Sequence, residues 1–189
     1  MQRTSKLDLV DAIKNLGIKP YDTVLLHSAL YRFGIVDFSA KDLILELSKY
    51  LYKGDLILPT FTYSFRRNEV YDVRKSLPDK RLGVLSKEIF LHDHYRNECP
   101  QFSFCSLTKT SKNLLDLESP NCFGPYSVFD KMCDANVKIL SLGVDFSSGL
   151  TMFLNFEKLS KVPYRCNLEL SGELIRADGS SIKANSIHF

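Results

Sequence analysis

Short apolar strand-like runs alternating with amphipathic helices predict an α/β protein: three layers, α/β/α, around a largely parallel or mixed central sheet. Three observations carry that prediction. Strand-like runs near 23–26, 55–58 and 137–142 each end in small or turn residues, and helical periodicity separates them. Helix starts carry a Ser-x-x-Asp capping signal, at Ser5 to Asp8, Ser39 to Asp42 and Ser127 to Asp130. The chain has 189 residues, 44% hydrophobic and 25% charged, which suits a single domain over 1–189 with a real core and is short for two.

The elements follow in order. Leu7, Val10, Ile13 and Leu16 recur at steps of three, an amphipathic helix that Gly17 ends and Pro20 cannot continue. Thr23 to Leu26 reads as a buried strand running into His27-Ser28-Ala29-Leu30. Leu43, Leu47, Tyr50 and Leu51 supply the stripe of a second helix, stopped at Gly54. Asp55 to Leu58 is the next strand, closed by Pro59 before Thr60-Phe61-Thr62. Residues 63–80 are polar and without period, and read as a long surface loop of the kind that is often functional. A helix over 82–91, a strand over 102–107, a short helix near 111–117 and a capped helix from Ser127 to Asn136 come next.

Val137, Ile139, Leu140 and Leu142 then form a strand, Ser147-Ser148-Gly149 a small-residue turn, and the following run a helix. Thr151, Leu154 and Glu157 stand three apart on that helix and so share a face. Residues 168–185 read as a hairpin turning at Asp178-Gly179. The chain stops straight after a predicted strand, which points to a shortened product or a fragment.

Charge and composition exclude several classes. A net charge of +3 without a long Lys/Arg run is no nucleic-acid-binding profile, although an anionic small ligand would be compatible. No apolar run approaches the ~20 residues a membrane helix needs, and no signal peptide is evident, so a cytoplasmic protein without a membrane partner is expected. The five cysteines are odd in number, scattered and without a CxxC pair, which favours free thiols over a disulfide frame or a metal site.

Some residues could carry chemistry. His27-Ser28 follows a buried strand, where open α/β sheets bind ligands, and backbone amides with a hydroxyl there could hold phosphate oxygens. The alternative is a histidine that only hydrogen-bonds its own loop. Thr60 and Thr62 end the next strand and could line the same crevice. His92 and His94 close a helix, where a solvated imidazole suits the dipole better than a metal. Ser28, Ser103 and the cysteines are possible nucleophiles, but none sits in a G-x-S-x-G elbow, which leaves a Cys- or Ser-dependent hydrolase as a lesser reading.

Several pieces stand together in one order: Ile18-Lys19-Pro20; Asp22 through Leu30; Leu58-Pro59-Thr60-Phe61-Thr62; Leu82-Gly83-Val84-Leu85; Arg96 with Pro100 and Ser103; Phe123-Gly124 with Ser127; and Leu142-Gly143-Val144 leading to Thr151 and Glu157. In this order the chain resembles the aminoglycoside 3-N-acetyltransferase family, a coenzyme-A-dependent group. The likeness runs from the first helix to Arg165. It implies that family's fold and acetyl transfer from acetyl-CoA, as co-substrate, to an amine on an aminoglycoside or amino sugar, an activity associated with antibiotic resistance. It also implies a cofactor crevice at His27, Ser28, Ala29, Thr60, Thr62 and Ser103, with Thr151 and Glu157 as catalytic positions. A protonated amine is no nucleophile, so a base must take its proton while the thioester is held close.

The family carries T-x-x-H-x-x-E on its catalytic helix, the Glu orienting the imidazole. Here Thr151 and Glu157 are present and the His position reads Leu154. A second family His, before Pro100, reads Cys99, and a glycine that usually follows Ser103 is absent. Family members run longer, and the part beyond the last residue of this chain helps close their acceptor site. The resemblance therefore implies either an acetyltransferase in which Glu157 alone remains as base, or a coenzyme-A-binding relic. Asn155 could only orient, and His27 could substitute only if the fold brings it near Glu157. The acceptor and the oligomeric state are not fixed by the sequence.

Overall fold

The computed structural model describes residues 3–92, 94–117 and 119–189, with backbone alone at 109, 147 and 148. Strand β1 (Arg3–Thr4) leads into α1 (Lys6–Asn15), whose cap is reciprocal: the Asp8 backbone N–H donates to Ser5 Oγ at 3.2 Å, and the Ser5 N–H donates to the Asp8 carboxylate at 2.9 Å. Next come β2 (Thr23–Ser28), β3 (Ile35–Val36), α2 (Ala40–Tyr50) and β4 (Asp55–Pro59). Ser39 and Asp42 cap α2 in the same manner. The chain continues through β5 (Tyr71–Asp72), α3 (Val84–Leu91), β6 (Tyr95–Arg96), β7 (Phe104–Ser106), α4 (Lys112–Leu115) and α5 (Val128–Asp134). It then runs through β8 (Lys138–Leu142), α6 (Phe146–Gly149), α7 (Met152–Leu159), β9 (Leu168–Ile175) and β10 (Ser181–His188).

The central sheet has the order β6-β7-β4-β2-β8. It is mixed: β4, β2 and β8 are parallel, whereas β7 runs antiparallel to β4 and β6 antiparallel to β7. Side chains of successive strand residues point to opposite faces, and this splits the core. Val24 and Leu26 of β2 join Leu56 and Leu58 of β4 under α1, α2 and α3, where Ile13, Leu43, Leu47 and Ile89 are buried. Leu25 and Ile57 face the other way, onto Phe104 and the buried Val128, Phe129 and Met132 of α5, with Met152 of α7. The result is a three-layer α/β/α arrangement.

Residues 63–80 correct the expectation of a surface loop. They hold a 3-10 turn at Phe65–Arg67 and strand β5, which pairs in parallel with β9 through Tyr71↔Leu174 and Asp72↔Ile175. Phe65, Tyr71, Val73 and Leu174 form a third small apolar cluster. A two-residue strand has no readable period, and its partner lies some hundred positions away, so local sequence carries no sign of it. Gly172 makes room for the packing, since a Cβ there would come within 2.7 Å of the Phe65 ring. The hairpin is as expected, with Gly179 at φ +89° in the turn, and extends to His188. The helix expected from Leu82 begins at Val84 after a 3-10 turn, and the turn expected at 147–149 belongs to the short helix α6.

Candidate functional site

Two clefts lie at opposite ends of the α6–α7 segment. The first opens where β2 and β8 end side by side. The Ala29 N–H donates to Leu142 O at 2.8 Å, joining the two strand ends. Gly143 follows at φ +68°, and a Cβ on it would stand 2.9 Å from Ala29 O and 3.1 Å from the Phe33 ring, so only glycine lets the two loops meet. Gly83, at φ +85°, brings the start of α3 against Ser28, where a Cβ would stand 3.1 Å from its carbonyl oxygen. The cleft between them measures about 490 Å³ and is lined by Ser28, Ala29, Gly83, Gly143 and the cationic Arg32, Lys80 and Arg81.

Its lining carries three cations, Arg32, Lys80 and Arg81, and one carboxylate, Asp145. The α3 N-terminus has no side-chain cap and borders the cleft through Gly83 and Val84, so its amide groups and positive dipole end are available there. Arg32 reaches across the mouth to Asp145 through two hydrogen bonds of 2.8 Å each. This fork tethers the loop after β2 to the loop after β8, and the shared bonds push the Asp145 carboxyl down and the Arg32 guanidinium up. Arg81 is held by Asp79 at 2.9 Å. Lys80 and the N-terminal amides complete the donor set. Arg32, Lys80 and Arg81 are absent from the sequence-derived candidates; the signal available was a Lys-Arg pair just before the glycine that opens a helix.

His27 lies behind this cleft. It is 8% exposed, and burial pushes its imidazole down to about 4, so it is neutral near pH 7. Its Cβ borders Gly149, which precedes Thr151 by two residues, so the end of β2 and the start of α7 are neighbours. Thr60, Thr62 and Ser103 are placed elsewhere, inside the protein and off the cleft. Ser103 Oγ donates to Thr60 O at 2.6 Å, Thr62 Oγ1 donates to Pro100 O at 2.8 Å, and the Arg96 guanidinium donates to Thr60 O at 2.7 Å and Ser76 O at 2.6 Å. These hydroxyls fix the ends of β4 and β7 around a buried arginine.

On α7, Thr151, Leu154 and Glu157 are all half-buried, as a shared face requires. Thr151 occupies the N-cap position, and its hydroxyl makes no capping bond. Leu154 packs against the apolar cluster that includes Phe102 and Phe123. Glu157 Oε1 accepts from Tyr164 Oη at 3.1 Å, while Arg165 Nε stands 2.6 Å from Oε2. Oε2 is buried and receives no aligned hydrogen bond, so the Arg165 contact is a charge pair. No hydrogen bond or ion pair joins Glu157 to His27, which lies near the opposite end of α7. Asn155 is fully buried, its Oδ1 taking the Gly124 N–H at 2.7 Å, and it anchors the helix.

The second cleft, of about 480 Å³, lies past Glu157 at the end of α7, between Lys158, Lys161, Arg165, Val162, Asn167 and Phe189. Among the described residues no cluster of three His, Cys, Asp or Glu side chains could hold a metal ion, and no described helix is long and apolar enough to cross a membrane.

Fold and clefts together define an α/β protein with a crevice at the carboxyl ends of its parallel strands. The sequence profile described as Aminoglycoside 3-N-acetyltransferase matches residues 25–188. Aminoglycoside N(3)-acetyltransferase IV of Salmonella sp is 25% identical over 179 residues, 92% of this chain and 67% of that protein. The structure of AAC-VIa bound to sisomicin superposes with a TM-score of 0.85 at 18% identity, over 98% of this chain and 76% of the other. AAC-IIIb in a binary complex with CoASH gives 0.83 at 18% identity, over 100% and 76%. The chain belongs to the aminoglycoside 3-N-acetyltransferase family.

Proposed function

We propose that the chain is an acetyl-CoA-dependent N-acetyltransferase acting on an amino group of an aminoglycoside or amino sugar. One observation carries the reading: the cleft at the ends of β2 and β8, where Ser28, Ala29, Gly83 and the open α3 N-terminus meet Lys80, Arg81 and Arg32. That set suits the diphosphate of coenzyme A, since oriented amides and cations favour phosphate oxygens. His27 shapes the cleft from behind, and Thr60, Thr62 and Ser103 hold the ends of the adjoining strands.

In the reaction the acceptor nitrogen attacks the thioester carbonyl carbon. The C–N bond forms, the C–S bond breaks, and coenzyme A leaves as thiolate while the nitrogen loses a proton. Glu157 is the group on α7 able to take that proton, and Thr151, with a hydroxyl free of capping duty, stands toward the cofactor end. Membership of an acetyltransferase family, relatives solved with CoASH and with sisomicin, and the retained Thr151 and Glu157 support this reading.

Leu154 favours a second reading, a protein that binds coenzyme A without efficient transfer. One experiment separates them: incubation with acetyl-CoA and a panel of aminoglycosides and amino sugars, with thiol release followed and CoASH binding measured by calorimetry. Thiol release that depends on an acceptor supports the transferase. Binding without release supports the second reading, and the absence of both binding and release overturns both.

A further inference from the structure

Two buried thiols stand together away from both clefts described above. Cys99 follows β6 and Cys122 precedes the turn at Gly124; they are 5% and 4% exposed. The two thiols are hydrogen-bonded to each other, and Cys99 Sγ also accepts the Phe102 N–H at 3.3 Å. Cys122 Sγ lies 3.2 Å from Ser186 Oγ on its other side. The hydrogen bond from Cys122, with those of the Phe102 and Gln101 backbone, outweighs burial and holds the Cys99 thiol below its ordinary range. The same contact, together with burial, holds Cys122 well above it. The pair therefore has an attacking partner, Cys99, and a protonated one. Cys99 lines a cleft of about 290 Å³ with Pro100, Asn121 and Ser186, which gives a small reagent a path to it. The remaining cysteines are unlike this pair: burial pushes Cys105 up to about 12, and Cys133 and Cys166 are exposed.

The segment that carries Cys122 is a junction. The Cys122 N–H donates to Ile187 O at 2.9 Å, which ties it to β10, and the Gly124 N–H donates to Asn155 of α7 at 2.7 Å. We propose that Cys99 and Cys122 are a reversible redox-modification site, closed to a disulfide by hydrogen peroxide, and that the closed form locks the turn that holds α7. The Cys99 thiolate attacks a peroxide oxygen: the S–O bond forms, the O–O bond breaks and hydroxide leaves, giving a sulfenic acid. The Cys122 sulfur then attacks the Cys99 sulfur. The S–S bond forms, the S–O bond breaks, and the Cys122 proton leaves with the hydroxide as water. Two thiols lose two electrons and one peroxide becomes two waters. The inference stands whether or not the chain transfers acetyl groups.

The test uses the folded full chain, reduced and then freed of reductant. It is treated with hydrogen peroxide, alkylated and mapped by peptide mass spectrometry. A Cys99–Cys122 linked peptide that dithiothreitol reopens is expected, both in the parent chain and in Cys133→Ser/Cys166→Ser. Backbone hydrogen exchange at Gly124 and over Met152–Leu159 should slow at least about threefold in the linked chain and recover on reduction, because a cross-link restrains local opening. Peroxide should leave that exchange unchanged in Cys99→Ser. Oxidation confined to Cys133 and Cys166, or linkage of Cys99 to Cys122 only in urea, overturns the inference. So does unchanged α7 exchange in the linked chain, or the same slowing in Cys99→Ser.

Discussion

At the scale of single residues, the proposed site turns on Leu154 and Glu157. Both were legible in the sequence, because Thr151, Leu154 and Glu157 at helical spacing lie on one half-buried face. What surrounds Glu157 was not legible. Tyr164 and Arg165 reach it only because α7 ends at Leu159 and the chain folds back, and no local pattern shows which way the return runs. A carboxylate held by a tyrosine hydroxyl and an arginine is positioned but lacks the imidazole that the family pattern places one turn earlier. Leu154→His supplies it. General base catalysis contributes typically ~10² to 10⁴-fold, so the variant should raise acceptor-dependent thiol release by at least about 10²-fold if the scaffold positions both substrates. The cost is packing, since Leu154 touches the Phe102 and Phe123 cluster, and a fall of about 1–2 kcal/mol in stability should accompany the gain. Steady-state thiol assays with urea melts check both. A stable variant with unchanged turnover would mean that the acceptor nitrogen does not approach this face of α7.

At the scale of elements, helices with their caps were read correctly because capping is local chemistry: Ser5, Ser39 and Ser127 each accept the backbone N–H three residues on. Elements held by distant partners were not. Strand β5 exists through β9, and the antiparallel edge of β7 and β6 depends on a buried Arg96 and on Asn97, whose Oδ1 accepts from Phe104 N at 2.9 Å. Thr60 and Thr62 were expected at a ligand because they follow a strand end, and Ser103 because of the family resemblance, whereas their hydroxyls bond within that interior network. The same distinction applies to α7. Its position is set by Asn155, whose Oδ1 accepts from Gly124 N at 2.7 Å and from Ser127 Oγ at 3.4 Å in a fully buried site. Asn155→Ala leaves the Gly124 N–H without its partner, a loss of about 1–3 kcal/mol. Thermal melting should then fall by roughly 2–4 °C per kcal/mol for a chain of this size. Turnover should drop further than stability, because α7 carries Thr151 and Glu157. A melt within experimental error of the parent chain would show that the Gly124 turn finds another acceptor.

At the scale of the whole molecule, the parallel strands β4, β2 and β8 bring one cleft to their carboxyl ends, and the α6–α7 segment leads from it to a second. Between sheet and helix sits His27, and it couples the fold to pH. Its neighbours are the β2 and β8 strand ends and Gly149, and burial alone holds its imidazole down to about 4 against an ordinary value near 6.5. Above about pH 6.5 the imidazole is neutral in both folded and unfolded chains and stability is unaffected by it. Between 6.5 and 4 the unfolded chain takes a proton that the native chain refuses, so stability falls as the pH drops through that window, by up to about 3 kcal/mol at its lower end. His188, half-buried and stacked on Phe102 with ring centroids 5.2 Å apart, is pushed in the same direction and adds to the slope. The carboxyls of Asp8, Asp42 and Asp79 are held below 3.8 by their hydrogen bonds and lose their contribution only at lower pH. The two losses are therefore separable. Urea melts from pH 8 to 4 should show a decline beginning near 6.5, and His27→Gln should flatten most of it while leaving the part due to His188 and the steeper acid limb below 4. An unchanged pH profile in His27→Gln would mean that His27 takes up its proton inside the fold at the same pH as in the unfolded chain, so that burial does not hold its imidazole down.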